Sequence, residues 1–200
     1  MSYTSITIII LIGIFLVFYI LLIIVKSKIQ KTLITFLKNH DFYRFDTLIS
    51  KSIVKALFPP YNLEYLILNR YLLEDNKAKV DKQFEKLLRA SKKSQKKDIF
   101  LKAFEYYAFN SDKKKAARYY NELNKLQDPK LTKYTDLIYD IFILDKPNHI
   151  EELENDFETL HPNQQKFYAQ LLLTQYKLKG NKAKQIYYED FLKNNSFSIL

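Results

Sequence analysis

The pattern of apolar and polar positions changes character once along the chain. From Ile6 to Val25 the run ITIIILIGIFLVFYILLIIV carries no charge, and only Thr7 and Tyr19 bear polar groups. Coiled as a helix, such a run spans roughly 30 Å, the thickness of a bilayer's hydrocarbon core. After Val25 the apolar residues Ile29, Leu33, Ile34, Phe36 and Leu37 recur at helical spacing, with Lys26, Lys28, Lys31 and Lys38 set among them. Neither Gly nor Pro marks the join, so one helix is expected to leave the bilayer and become the first piece of a folded domain.

Past that join the chain repeats. Stretches beginning at Glu64, Ile99, Lys133 and Lys166 can be laid beside one another, and their leading aromatics Tyr65, Phe100, Tyr134 and Phe167 are separated by 35, 34 and 33 residues. A weaker copy upstream has Ile29 in the leading place, a turn at Asn39-His40-Asp41, and a second helix carrying Phe42, Phe45, Ile49 and Ile53. Such a period predicts stacked helical hairpins. In the third copy Ile99, Phe100, Ala103, Phe104 and Tyr107 form one stripe, Asn110-Ser111-Asp112 break it, and Ala116, Ala117, Tyr120, Leu123 and Leu126 return. In the fifth, Phe167, Leu171, Thr174 and Leu178 lead to Gly180-Asn181, and Ala183, Ile186, Tyr187 and Phe191 are expected on the returning face. Pro59-Pro60, Pro129 and Pro162 fall between copies and Pro147 at the inner turn of the fourth, so none interrupts a helix.

The spacings Phe100, Ala116, Tyr120 and Phe167, Ala183, Tyr187, with the turn residues Asp112 and Gly180-Asn181 and with Pro162, resemble the tetratricopeptide repeat family. The resemblance covers residues 28 to 195. It departs from the family where Asn69, Phe104, Ile138 and Leu171 replace a first-helix glycine, and where Ile150 and Glu154 stand in place of alanine and an aromatic. It implies an all-α fold: an N-terminal transmembrane helix continuing into a right-handed solenoid of about five hairpins. The organisation expected is an anchor over 1–25, a repeat domain over 26–195 and a tail over 196–200. It further implies a concave surface built by first helices, onto which Arg70, Leu101, Glu105, Thr135, Tyr139, Tyr168 and Gln175 would project. The family's two-carboxylate clamp is missing, since Leu66, Arg70, Leu101, Glu105, Thr135 and Tyr139 occupy its places. A mixed, tyrosine-containing lining instead suits a protein segment with both apolar and polar side chains.

Composition narrows the chemistry. Cysteine is absent, which removes disulfides, thiolate metal sites and thiol nucleophiles. Gly13 and Gly180 are the only glycines, too few for a glycine-rich phosphate cradle. The histidines His40, His149 and His161 fall at expected turns, Glu151 and Glu154 share what reads as an exposed helix face, and no HExxH or GxSxG motif occurs. No catalytic, metal or cofactor site is expected, and the chain reads as a non-enzyme.

Charge adds direction. The net charge is +10, and Lys26, Lys28, Lys31, Lys38, Arg44, Lys51 and Lys55 lie close after the apolar run against only Asp41 and Asp46. Anionic lipid headgroups are the natural counter-surface. The same excess of lysine places the bulk of the chain in the cytoplasm, and the lack of Lys or Arg in MSYTS together with the long apolar run favours a permanent span over a cleaved signal. Lys92-Lys93, Lys96-Lys97 and Lys113-Lys114-Lys115 read as solvated turn clusters rather than as a nucleic-acid surface, since no such motif accompanies them. Glu151, Glu152, Glu154, Asp156 and Glu158 make the fourth copy acidic. Abundant Lys, Ile, Asn and Tyr fit an AT-rich bacterial genome. The function expected is a single-pass, membrane-anchored scaffold or adaptor that recruits proteins through a helical-repeat groove. The alternatives are a structural subunit of a membrane complex and, further off, a basic nucleic-acid-binding module.

Overall fold

A computed structural model of the chain describes residues 3–194, with side chains from residue 11 onward; the expected tail over 196–200 and the side chains of the first residues of the apolar run lie outside the described part. The chain divides after Ser91 into two units, taken in turn below. Every element among the described residues is helical.

Helix α1 (Tyr3–Lys38) is unbroken over 36 residues, so the apolar run and the first segment of the folded unit are one helix. Its stretch from Leu11 to Val25 is exposed throughout. The segment Leu11–Lys38 contains an apolar window of mean hydropathy 2.3, none of it buried, and has the length and composition of a membrane span. Beyond Val25 the same helix turns a different face inward. Leu33 and Leu37 are buried with Phe45 and Ile49 of α2 (Phe42–Ile49), Val54 of α3 (Ser52–Leu57), Phe58, and Leu63 of α4 (Pro60–Leu73).

The single second helix expected to carry Phe42, Phe45, Ile49 and Ile53 is in fact two. Lys51 takes an extended conformation (φ −62°, ψ 137°), which ends α2 and starts α3 in a new direction. Phe45 and Ile49 remain in the core, but Ile53 is left 57% exposed. Helix α4 and α5 (Lys77–Ala90) then form the second hairpin, with Val80, Phe84 and Leu87 buried on the returning side.

In the second unit a 3-10 turn (Lys93–Gln95) leads into the hairpin of α6 (Lys96–Phe109) and α7 (Lys113–Asn124). Next come α8 (Pro129–Phe142) and the short α9 (Ile150–Phe157), then α10 (Pro162–Lys179) and α11 (Lys182–Asn194). Pro60, Pro129 and Pro162 each sit in the first turn of a helix, where the missing N–H costs nothing. The core of the last hairpins gathers Ile141, Leu153, Phe157, Ala169, Leu171, Leu172, Tyr176 and Tyr188.

Four hairpins share one turn, and it is the best structural proof of the repeat. A left-handed residue (His40, Asp75, Ser111 or Gly180, with φ of 53°, 52°, 59° and 69°) ends the first helix. The Asx that follows, Asp41, Asn76, Asp112 or Asn181, accepts with its side chain the backbone N–H three residues on. Its own N–H donates back to the carbonyl of an aromatic residue five positions earlier: Phe36, Tyr71, Tyr107 or Tyr176. Both helix ends are thereby satisfied. Only the last turn uses glycine. A Cβ at Gly180 would meet nothing within 4 Å, so its sole cost is backbone conformation. Gly180→Ala is therefore expected to lose about 1 kcal/mol and Ser111→Gly to gain about 0.5 kcal/mol in chemical denaturation.

This turn also corrects the register of the last helix. Helix α10 has 18 residues where α6 has 14, so counting from the leading aromatic misplaces the next helix. Ala116 is fully buried as expected, but Ala183 is exposed, Ile186 is 58% and Tyr187 50% exposed, and Tyr188 is the buried ring. The alanine at a close helix approach is thus found in the third hairpin and not in the fifth.

Candidate functional site

Two helix faces of the second unit confront each other across an open cleft of about 770 Å³. One is the α8 stripe Lys130, Lys133, Tyr134 and Leu137; the other runs from His149 through Glu152, Leu153 and Asp156 of α9. Each stripe is spaced as one side of a helix. The opposite side of α8 holds the buried Leu131, Thr135 and Ile138. Asp128 caps α8 by accepting the Leu131 N–H, and Pro129 fixes its first turn, so the entry angle of the helix is set locally. Tyr168 of α10 closes the cleft.

Leu137, Leu153 and Tyr168 give the cleft apolar surface; the α8 rim carries Lys130 and Lys133 with Asp136, whose carboxylate accepts from the Tyr120 hydroxyl, and the α9 rim carries Glu152 and Asp156. Lys133 meets Glu152 at 3.0 Å across the opening, and this contact raises the lysine pKa and lowers that of the carboxylate. Burial, then the nearby Asp156 and Glu152, push the Tyr168 phenol up, so its hydroxyl remains a donor at neutral pH. Beneath the cleft Tyr134 donates to Glu105 at 2.6 Å. Burial raises both groups, and the carboxylate further raises the phenol, so the proton stays on Tyr134.

The loop from α8 to α9 is latched at Asp140. Burial alone would raise this carboxyl, but His149, Lys146 and Asn148 hydrogen-bond to it and hold it below the usual range. The His149 ring lies 3.1 Å from Asp140 and 3.6 Å from Glu152, and its backbone N–H donates to the Gln175 side chain at 2.8 Å. Among the described residues no group of three or more His, Asp or Glu side chains is placed to hold a metal ion.

Of the residues expected on a common open groove, only Tyr168 lines this cleft. Arg70 is 8% exposed, and Thr135 and Gln175 are fully buried. Arg70 belongs to the first unit, where it donates through Nε and Nη2 to both oxygens of Asp46, pairs with Glu74, and lies over the rings of Phe42 and Tyr71. Burial works against its charge, but the two carboxylates outweigh that effect. Thr135 donates to the Thr132 carbonyl, as a helix-interior threonine does. Glu105 is engaged by Tyr134, Tyr139 stacks on Tyr120 at 4.0 Å between centroids, and Leu101 is half-buried.

Glu154, read from the chain as an exposed acid beside Glu151, is half-buried instead. It accepts from Lys184 at 2.6 Å and from Tyr188 at 3.1 Å, tying α9 to α11. These bonds overcome the effect of burial and lower its pKa; burial, and then Glu154, push the Tyr176 phenol up to about 12. Several turn lysines are likewise engaged: Lys97 with Asp128, Lys113 with Asp145, and Lys115 with Asp112. The first two join one hairpin to the next.

The lysines after the apolar run separate into two groups. Lys26 turns toward the core, its ammonium 5.4 Å from the centre of the Phe58 ring. Lys28 and Lys31 line an open groove on the other side of α1, and Lys38 is exposed. Compared with known protein families, with curated proteins and with solved structures, the chain matches none.

Proposed function

We propose that the chain is a membrane-anchored helical-repeat adaptor, held by α1 and receiving a segment of a partner protein in the α8–α9–α10 cleft. The observation that carries this reading is the pairing of two helix stripes with an apolar floor and charged rims in the second unit; the first unit separately carries an exposed apolar helix of bilayer length. An apolar side chain of the partner packs over Leu137, Leu153 and Tyr168, while Lys130 and Asp156 select charges on either side of it. The role is one of binding rather than catalysis, and the hairpins act as a tetratricopeptide-like solenoid facing the cytoplasm. The shared left-handed, Asx-capped turn supports the repeat, and the lysines after Val25 support the orientation.

The test exchanges the rim charges. Lys133→Glu with Glu152→Lys preserves the ion pair and reverses its direction, so the fold is kept while recognition changes. A photo-crosslinking residue at Tyr168 should capture a protein in cells from the parent chain. Its yield should fall by about tenfold in the exchanged variant, as expected for an oriented charge contact. Capture from Tyr168 that is indifferent to the exchange, with unchanged helicity, would remove the cleft from the proposal.

A further inference from the structure

After α1 the chain doubles back toward the first residues past the apolar run. Helix α1 carries the backbone away from Val25, and α2 and α3 bring it back, ending at Phe58. The Phe58 ring is the one beneath the ammonium of Lys26, the first residue past the apolar run. Where that run crosses a bilayer, the end of α3 therefore lies beside the first turn of α1 outside it. Lys28 and Lys31 stand about 5 and 9 Å beyond Val25 along the helix, within or beside a headgroup layer of roughly 5–7 Å.

Helix α3 presents an apolar residue between cations on its outer side. Ile53 is 57% exposed although Val54 and Phe58 beside it are buried. Lys51 and Lys55 flank it and are exposed. The groove along α1 is lined by Ile23, Ile24, Ser27, Lys28, Lys31, Thr32 and Thr35, and at Thr32 it meets a second groove lined by Phe36, Tyr43, Arg44, Thr47, Leu48 and Lys51. Neither lining contains an acid. Among the described residues Lys28, Lys31, Lys51 and Lys55 take part in no ion pair, whereas many lysines of the second unit do.

We infer that α3 is an interfacial element: it lies in the headgroup layer of the same bilayer that α1 crosses, with Ile53 among the lipids and Lys28, Lys31, Lys51 and Lys55 on anionic phospholipid headgroups. The inference rests on the reading of α1 as a span. It accounts for the break at Lys51, which frees Ile53 from the core and turns it outward between two cations. An apolar residue flanked by lysines is the pattern of a segment seated at a membrane surface. Lipid is favoured over a protein as the occupant because the Lys26–Phe58 contact ties the end of α3 to the first turn past the apolar run.

The natural absence of cysteine allows unique labelling. Spin labels would be placed singly at Leu16→Cys in the run, Ile53→Cys on α3 and Asn39→Cys at the far turn, in the full chain. Nanodiscs would contain phosphatidylcholine alone or with about one-third phosphatidylglycerol. Collision with lipid-dissolved oxygen should dominate at 16 and 53, and collision with an aqueous reagent at 39. Adding Lys51→Gln and Lys55→Gln should raise the aqueous accessibility at 53 by about fivefold per lysine in phosphatidylglycerol discs and far less in phosphatidylcholine alone. Water contact at 53 equal to that at 39, with 16 in lipid, overturns the inference and leaves the span. Water contact at 16 overturns both. Immersion of 53 that ignores lipid charge and lysine removal overturns the assignment to anionic headgroups, and protection of 53 that grows with the number of chains per disc assigns the face to a second copy instead.

Discussion

Lysines introduced together at Ile14 and Leu16 should release the chain from the membrane. Both positions are near the middle of the apolar run, 61% and 51% exposed, with no acid of the unit in reach to receive a charge. A charge at the centre of a spanning helix costs about 2.5–3.5 kcal/mol on insertion scales, so the pair costs about 5–7 kcal/mol, enough to move insertion from nearly complete to nearly absent. The packed part of α1 begins only at Ile29, so both folded units should keep their helicity. Alkaline extraction of membranes followed by separation of pellet and supernatant measures the outcome. A variant that stays in the pellet after extraction would mean that contacts other than the span hold the chain.

Phe157→Ala should destabilise the second unit by about 3–5 kcal/mol. Helix α9 has 8 residues, too few to persist on its own, so its stability must come from packing. That packing is concentrated in Leu153 and Phe157, which are 1% and 4% exposed. The Phe157 ring meets Tyr188 at 5.6 Å and Phe191 at 5.2 Å, both edge-on. Removing it leaves a cavity between α9 and α11 and loosens the wall that carries Glu152 and Asp156 into the cleft. Denaturant titration measures the loss, with Tyr187→Ala as the reference, since that exposed ring should change stability by no more than about 0.5 kcal/mol. Equal losses at 157 and 187 would contradict the register of α11.

The hairpin period was legible because its signals are local. Capping by Asp41, Asn76, Asp112 and Asn181 and the initiating prolines depend on neighbours a few residues away, and they fix where helices begin. Which side of a helix meets a partner is not local, and that is where reading failed. Ala183 matched a repeat spacing, yet the longer α10 moved it outside; Ile53 continued an apolar stripe, yet Lys51 broke the helix before it. Arg70 was expected on a groove that the family resemblance implies and Glu154 on an exposed helix face with Glu151, and nothing near them in the chain announces the Asp46 or Lys184 that receives them. The cleft was hidden for the same reason. Lys130, Lys133, Tyr134 and Leu137 form a recognisable stripe only once the opposite side of α8 is known to be buried.

With α1 seated in a bilayer as proposed, its unbroken course would also gear the first unit to that bilayer. A single residue inserted near Ser27 would advance everything beyond it by about 1.5 Å and turn it by about 100° around the helix axis. The compass bearing of the first hairpins in the membrane plane would then be set by the rotation of the span about its own axis. A rotation of that span would swing those hairpins like the hand of a dial without any change in their own packing.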